Sequence, residues 1–513
     1  MPNRTTDALF QLVKSLGKSE KRNFKLYTTR NKSSEELKVV QLFDALDKMD
    51  IYDEALLLKK NTGIKKQQLS NLKAHLYKQI LSSLRVITDE GNIDIQLHEQ
   101  MDYARILYNK GLYLQSLKVL DKLKELAKAH NQFTYLQQAL FFEKNIEGLH
   151  ITRSLKNRAE HLSKEADDIN HHLSNVSKLS NLALQLYGWY IKNGFATDDN
   201  EERAVASFLE EHLPANPQQL HGFYERLYLY QSYCWKAFIR QDFLQYYRYT
   251  QKWVDLFHDA PQMIAIESGH YIKGMHNLMG SHFNLGNYKK LEETLRQFEK
   301  FCNSKTVQQS QNNLIQCFIY HTISSLNKHF ISGEFTNGLK LVPGIEEKLR
   351  AYEIYLDRHR ILVIYYKIAC MYFGAGEFDK AIDYLNKIIN QKMDLRNDLQ
   401  CYARLLHLIA HYEIGNLNLL EYLAKSVYRF MAKMQNLSVV EEEMFRFLRK
   451  SLTLTPGRLK PEFEKLLNKL KQLEHKPVET RAFMYLDVIS WLESKISNVP
   501  VQDIIKKKFA GRK

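Results

Sequence analysis

Two histidines at helical spacing are the first residues of this sequence whose types could do chemistry. His407 and His411 are one helical turn apart, a spacing at which two imidazoles can share a metal ion. A protein metal site needs three or four converging ligands, and no third candidate accompanies this pair. Two packed core histidines are the simpler interpretation. We therefore predict no metal site.

The glycine patterns that hold phosphates are incomplete in this chain. Gly333 and Gly338 have phosphate-loop spacing, but Leu339 follows where the loop requires lysine. The serine-hydrolase and zinc-protease motifs are absent from the sequence. The five cysteines include no C-x-x-C pair, which predicts reduced thiols rather than disulfides or a zinc site. We predict that the protein is not an enzyme and holds no cofactor.

Residues 53–77 resemble a helix-turn-helix, the motif that places its second helix in the major groove of DNA. Gly63 would make the turn, and Leu69 and Leu72 would face inward. Lys59 departs from the motif, which needs a small residue where its helices cross. The alternative is an ordinary helical hairpin with solvated lysines. If the motif binds nucleic acid, the residues that contact it are Lys65, Lys66, Gln67, Gln68, Asn71 and Lys73.

The distribution of charge limits where an electrostatic partner can bind. The 513 residues carry a net charge of +15, divided into +6 for residues 1–90, zero for 91–443 and +9 for 444–513. The body of the protein is therefore neutral and its two ends are basic. A neutral body argues against a general track for phosphates. We expect any nucleic-acid contact at the basic ends.

The elements that position these residues are predicted to be helices. Only 9 prolines and 20 glycines interrupt the chain, and 44 % of its residues are hydrophobic, which excludes a loop-rich β protein and a disordered chain. The N-terminus lacks an apolar signal core, and the apolar runs are far shorter than a membrane span. We expect a protein of the cytoplasm with no membrane contact.

A repeated hairpin pattern gives the strongest indication of fold. Residues 365–388 place apolar side chains at helical spacing on both sides of Gly376, with Ala369 and Ala381 allowing a close helix–helix approach. This segment resembles a tetratricopeptide repeat, a helical hairpin that stacks into a superhelix. The resemblance implies a concave surface lined by the first helix of each hairpin.

Weaker copies of the pattern extend over residues 97–435, with turn-to-turn distances of 39–47 residues from residue 194 onward. One more degenerate hairpin is expected near residues 145–163. We predict an all-α fold, an α-solenoid of about seven or eight antiparallel helix hairpins with helical N- and C-terminal segments. The further turns are expected at Gly111, Gly194, Gln241, Gly286, Gly333 and Gly415.

Three regions are expected along the chain. Residues 1–90 form a basic all-helical module, and residues 91–440 form the repeat solenoid. Residues 441–513 form a helical cap, in which Pro461 is expected to begin a helix, and they end in a basic tail. A cap is expected because the last repeat of an array needs a polar outer face.

Aromatic residues are concentrated in residues 222–257. One interpretation is a densely packed core, because aromatic side chains are commonly buried. The other is a peptide-binding groove, because tyrosine and tryptophan are favoured anchors of binding surfaces. In that case the candidate partner-binding residues of the concave face are Tyr228, Gln231, Trp235, Phe238, Lys273, His276, Tyr366, Cys370, Tyr402 and Leu405.

Three functions remain open from the sequence. The first is a non-enzymatic scaffold that binds a peptide or helix of a partner protein on its concave surface. The second is a DNA-binding regulator, in which the helix-turn-helix-like segment is joined to a helical-repeat sensor domain, as in several bacterial peptide-responsive regulators. The third is an enzyme whose site the motifs do not show.

Overall fold

The computed structural model describes residues 7–28, 34–60, 64–87, 92–150, 157–196, 198–391, 397–433, 439–451, 454, 456–474 and 487–511. Within these ranges the protein is all-α and contains no strand, and helices that follow one another along the chain pack together as in a solenoid. The predicted fold class is confirmed. In the same ranges, no helix combines the length and the apolar composition needed to cross a membrane.

The chain forms two compact units, Met1–Leu162 and Ser163–Lys513. The expected boundaries at residues 90 and 440 stay predictions. In the first unit, the apolar residues from Leu9 to Ile80 form a core of their own. The helices of this unit are α1 (Ala8–Ser15), α2 (Lys18–Thr28), α3 (Ser34–Lys48), α4 (Glu54–Lys60), α5 (Lys66–Ile87), α6 (Ile93–Asn109), α7 (Tyr113–Ala129) and α8 (Phe133–Leu149).

Helix α9 (Arg158–Asn193) runs across the boundary at residue 162. The second unit contains one large apolar core that extends from Phe223 to Leu492. Its helices are α10 (Asp199–His212), α11 (Phe223–Ile239), α12 (Phe243–Asp259), α13 (Gln262–Ile266), α14 (Ser268–Asn284), α15 (Tyr288–Cys302), α16 (Lys305–Gln308), α17 (Gln311–Ser332), α18 (Phe335–Gly338), α19 (Val342–Ala351), α20 (Arg358–Gly374), α21 (Phe378–Ile389), α22 (Asn397–Glu413), α23 (Leu417–Lys433), α24 (Val439–Ser451), α25 (Pro456–Leu473), α26 (Val488–Ser497) and α27 (Val501–Ala510).

The turns between helices lie where the repeat pattern places them. All seven predicted turn residues have a positive φ, including Gln241 at 57° and Gly376 at 83°. A left-handed residue ends a helix and redirects the chain, and glycine adopts this conformation without a steric penalty. Side chains at the start of the next helix then cap it, as Asp242 does by accepting a hydrogen bond from Gln245 N at 3.0 Å.

One local expectation is wrong, because the helix expected to begin at Pro461 begins at Pro456, so that Pro461 lies inside α25. The basic residues Lys506, Lys507 and Lys508 of the tail lie in helix α27. The turn at Gly63 and the centre of the degenerate hairpin, residues 151–156, lie outside the described residues.

Candidate binding cavity

A cavity of about 550 Å³ lies in the second unit. Residues of α11, α14, α17 and α20 line it, and these are the first helices of successive hairpins. The end of α9 adds Tyr187 and Tyr190, and α27 adds Val501 and Ile505. The cavity therefore depends on the stacking of several hairpins.

Six of the ten predicted concave-face residues line this cavity, namely Trp235, Phe238, Lys273, His276, Tyr366 and Cys370. The other four lie elsewhere. Tyr228 packs with Tyr224 and His270, and Gln231 Nε2 lies 3.2 Å from His270 Nδ1. Tyr402 and Leu405 are buried in the main core.

Trp235 serves the core and the cavity together. Its exposed fraction is only 9 %, and its ring stacks on Tyr190 with centroids 5.7 Å apart and an angle of 23°. The ring centroid of Tyr187 lies 4.7 Å from the centroid of the same indole. The two interpretations of the aromatic segment are therefore compatible, because packing fixes the ring that forms the cavity wall.

Three basic side chains lie against aromatic rings of the cavity. Lys273 Nζ is 5.9 Å from the Trp235 centroid and 5.4 Å from that of Tyr320. Arg360 Cζ is 5.9 Å from the Tyr320 centroid. Lys367 Nζ is 5.4 Å from the ring centroids of two phenylalanines, one in α14 and one in α17. Ring faces attract a cation without neutralising its charge.

Lys367 is held and desolvated by its surroundings in the cavity. Its Nζ atom donates a hydrogen bond to Asn327 Oδ1 at 2.7 Å, and burial lowers the pKa of its ammonium group to about 8. Among the described residues, Lys273 and Lys367 form no ion pair, whereas Arg360 pairs with the half-exposed Asp357 at 3.1 Å. Two cations of the cavity therefore have no counter-ion within the part of the chain that the structure describes.

His276 lies in the same electrostatic environment. Its imidazole stacks on Tyr320 with centroids 4.0 Å apart, and its buried Nδ1 atom has no hydrogen-bond partner in the described part of the chain. Burial lowers its pKa well below the usual value, and the charges of Lys273, Lys367 and Arg360 lower it further. The ring is therefore neutral at pH 7.

Acidic side chains contribute little to the lining. Among the described lining residues Asp487 is the one carboxylate, and it caps α26 by accepting hydrogen bonds from Ser490 N at 2.9 Å and Ser490 Oγ at 2.6 Å. Burial raises the pKa of the Cys370 thiol to about 12, so the thiol stays protonated at neutral pH. The arrangement is suited to holding an anionic group between aromatic rings.

The histidine pair of α22 is outside this cavity. His411 Nε2 lies 3.3 Å from His407 Nε2, and the Asn416 amide lies 3.1 Å from His411 Nδ1. Burial lowers the pKa of His407 to about 4, and the neighbouring His411 contributes to the shift. Each ring packs in the core with at least one nitrogen engaged.

The helix-turn-helix-like segment lies in the first unit. Five of its six candidate residues are exposed, namely Lys65, Lys66, Gln67, Gln68 and Asn71. Lys73 differs, because its Nζ atom pairs with Asp7 at 2.9 Å and with Glu54 at 3.5 Å. Lys73 also donates a hydrogen bond to Tyr52 Oη. This lysine holds α1, α4 and α5 together and is not free for a phosphate.

Sequence reasoning missed several residues of the cavity. Tyr320, Asn327 and Arg360 were not among the candidates, nor was Lys367, which adjoins Tyr366. The available signal was helical spacing, because Arg360 and Lys367 lie seven residues apart on one face of α20.

Neither a protein-family model nor a curated protein sequence matches this chain.

Proposed function

We propose that the protein is a non-enzymatic interaction scaffold that captures an acidic segment of a partner protein in the cavity of its second unit. The observation that carries this proposal is the pair of cations, Lys273 and Lys367, which face the cavity without a counter-ion in the described chain. A carboxylate of a bound peptide would supply that counter-ion.

The energetics of burial support this proposal. Removing an ammonium group from water is unfavourable unless a partner compensates, and the burial of Lys367 lowers its pKa for this reason. Its hydrogen bond to Asn327 compensates only in part, because an amide oxygen carries no net charge. An anionic ligand would gain a charge-assisted hydrogen bond from a donor that is already positioned.

Aromatic walls suit a peptide ligand better than an isolated inorganic anion. Trp235 and Tyr320 present flat surfaces that carry one polar group each, and Phe238 adds an apolar ring to the same cavity. Such rings form contacts of large area while losing little conformational freedom. The five cysteines include no C-x-x-C pair, which accords with a reducing compartment, and we propose a cytoplasmic location.

The test is a comparison of three labelled synthetic peptide pools of equal length, one acidic, one neutral and one basic. We expect fluorescence anisotropy to show binding of the acidic pool, and Lys273→Glu to weaken this binding by about tenfold or more. Lys289→Glu is the matched control, because Lys289 is exposed and lies outside the cavity lining. Equal binding of all three pools, or equal loss in both variants, would refute the proposal.

A DNA-binding regulator is the second candidate function. The exposed basic and amide side chains at the start of α5, from Lys65 to Asn71, favour it. Their phosphate contacts would make the affinity fall steeply with salt. The test is a gel shift of duplex DNA at low salt with the full chain and with a Lys65→Glu/Lys66→Glu variant. The absence of a shift would remove this candidate.

A further inference from the structure

Helix α27 lies directly on the end of α17, beside the cavity. A Cβ atom on Gly333 would lie 2.7 Å from Lys506 N and 2.8 Å from Gln502 O, so the two backbones are in contact there. Thr336 Oγ1 donates a hydrogen bond to Gln502 Oε1 at 3.0 Å. Because Val501 and Ile505 line the cavity, this helix forms part of its rim.

The contacts that hold α27 in place are shallow. None of its residues is buried, whereas the preceding helix α26 buries six, among them Trp491 and Leu492. Phe509 meets the edge of Tyr288 with centroids 5.0 Å apart. An ion pair joins Lys508 to Glu493 at 2.8 Å between partly exposed side chains, which stabilises little.

The connection to α26 has the features of a hinge. Helix α26 ends at Ser497, and its C-cap Asn498 adopts a left-handed conformation with φ 52°. Val499 and Pro500 follow, and both are exposed. An exposed connection next to a helix with few buried contacts permits local opening at low free energy.

Helix α27 covers the rim without neutralising the cavity. Its one acidic residue, Asp503, is exposed and lies 3.7 Å from Lys506 of the same helix. Its apolar residues Val501 and Ile505 line the same cavity as Lys367, which has no counter-ion among the described residues. An acidic helix in this position would form the same apolar contacts and would also pair with the cations.

We propose that α27 is a displaceable occupant of the cavity rim and that the partner segment is an amphipathic acidic helix which replaces it. This inference rests on the proposed function, because it concerns the same cavity. The pattern that such a partner must reproduce is set by Val501, Ile505 and Phe509, which lie four residues apart on one helix face. Docking of α27 competes with the partner helix. The apparent affinity for that helix equals the intrinsic affinity multiplied by the fraction of molecules in which the rim is open.

The experiment uses the full chain and one defined probe. The probe is a fluorescein-labelled peptide with the sequence of residues 498–511, in which Lys506→Glu, Lys507→Glu and Lys508→Glu are introduced. Ile505→Ser in the protein removes an apolar contact without adding charge and so weakens the docking of α27, and Lys507→Ala is the matched control on the exposed face of the same helix. Phe509→Ala is a second detaching variant, used if circular dichroism shows that Ile505→Ser does not fold.

Two readouts decide the outcome. We expect the detached variant to bind the probe about five- to tenfold more tightly than the wild type and the control. We also expect the probe to accelerate hydrogen exchange in residues 501–510 of the wild type. If the probe binds but α27 keeps its exchange rate, or if the detached variant binds no better, the inference is overturned while the proposed function stands. If the probe binds to neither chain and the acidic pool also fails, the proposed function fails and this inference fails with it.

Discussion

Lys367 Nζ donates a 2.7 Å hydrogen bond to Asn327 Oδ1, and this bond joins α20 to α17 across the wall of the cavity. The amide positions the ammonium group without cancelling its charge. The centroids of two phenylalanine rings lie 5.4 Å from Nζ, and these rings also leave its charge uncancelled. The consequence is a cation that is fixed in place, desolvated and open to an anionic ligand, at some loss of stability for the free protein.

Lys367→Gln should separate stability from binding. Glutamine keeps a donor for Asn327 and removes the buried charge, so we expect the melting temperature to rise by about 2–5 °C. We expect affinity for the acidic peptide pool to fall by about tenfold in the same variant. Differential scanning fluorimetry and anisotropy measure the two effects, with Lys289→Gln as the exposed control. A lower melting temperature together with unchanged affinity would assign Lys367 a purely structural role.

The stability difference between the wild type and Lys367→Gln should depend on pH. The pKa of Lys367 is about 8 in the folded chain and near 10.5 when the chain is unfolded. Between these values the unfolded chain holds a proton that the folded chain has released, so this residue's contribution to stability rises with pH. The advantage of the glutamine variant should be greatest near pH 7 and should shrink by about pH 10. Urea unfolding of both proteins at the two pH values measures it, and a constant difference would contradict the low pKa.

Peptide affinity should also depend on the protonation of Lys367, but it should decrease as the pH rises. An anion gains most from Lys367 while its ammonium group is protonated, so the affinity of the wild type should fall as the pH rises through about 8. His276 stays neutral over this range, and Cys370, with a pKa of about 12, stays protonated. Anisotropy titrations between about pH 7 and pH 9 measure the effect. Lys367→Gln should show a flatter profile, and an equal slope in both proteins would point to another group.

The hairpin turns offer a paired test of backbone conformation. Gly376 has φ 83°, and a Cβ atom added there would meet nothing within 4 Å, so Gly376→Ala should destabilise the protein by about 1 kcal/mol through the backbone alone. Gln241 has φ 57°, and its buried Oε1 has no hydrogen-bond partner in the described chain. Gln241→Gly should stabilise by about 1 kcal/mol. Urea unfolding measures both, and a stabilising Gly376→Ala would show that the turn is not left-handed.

The fold was largely predictable because its signals are local. Helical spacing of apolar residues and left-handed turn positions depend on neighbours along the chain. For this reason Gln241 was found as a turn without a glycine. Proline was a less reliable marker of a helix start at Pro461, because the same helix already begins at Pro456.

The cavity was only partly predictable because it depends on which helix faces stay uncovered. Trp235 and Lys273 were found by carrying one hairpin pattern along the chain. The same extrapolation selected Tyr402 and Leu405, which are only 3 % and 2 % exposed and belong to the main core together with Trp491. A local sequence pattern cannot predict that α27 folds back onto Gly333, because that contact joins residues far apart in sequence.

Photo-cross-linking of the acidic peptide pool to the full chain tests the central claim most directly. The peptides carry a photoreactive leucine, and mass spectrometry identifies the modified residues. The scaffold proposal predicts cross-links on α14, α17 and α20 at cavity residues such as Tyr320 and Val363, with loss of these products in Lys273→Glu. Cross-links that fall outside the cavity, or that persist unchanged in the variant, would contradict it.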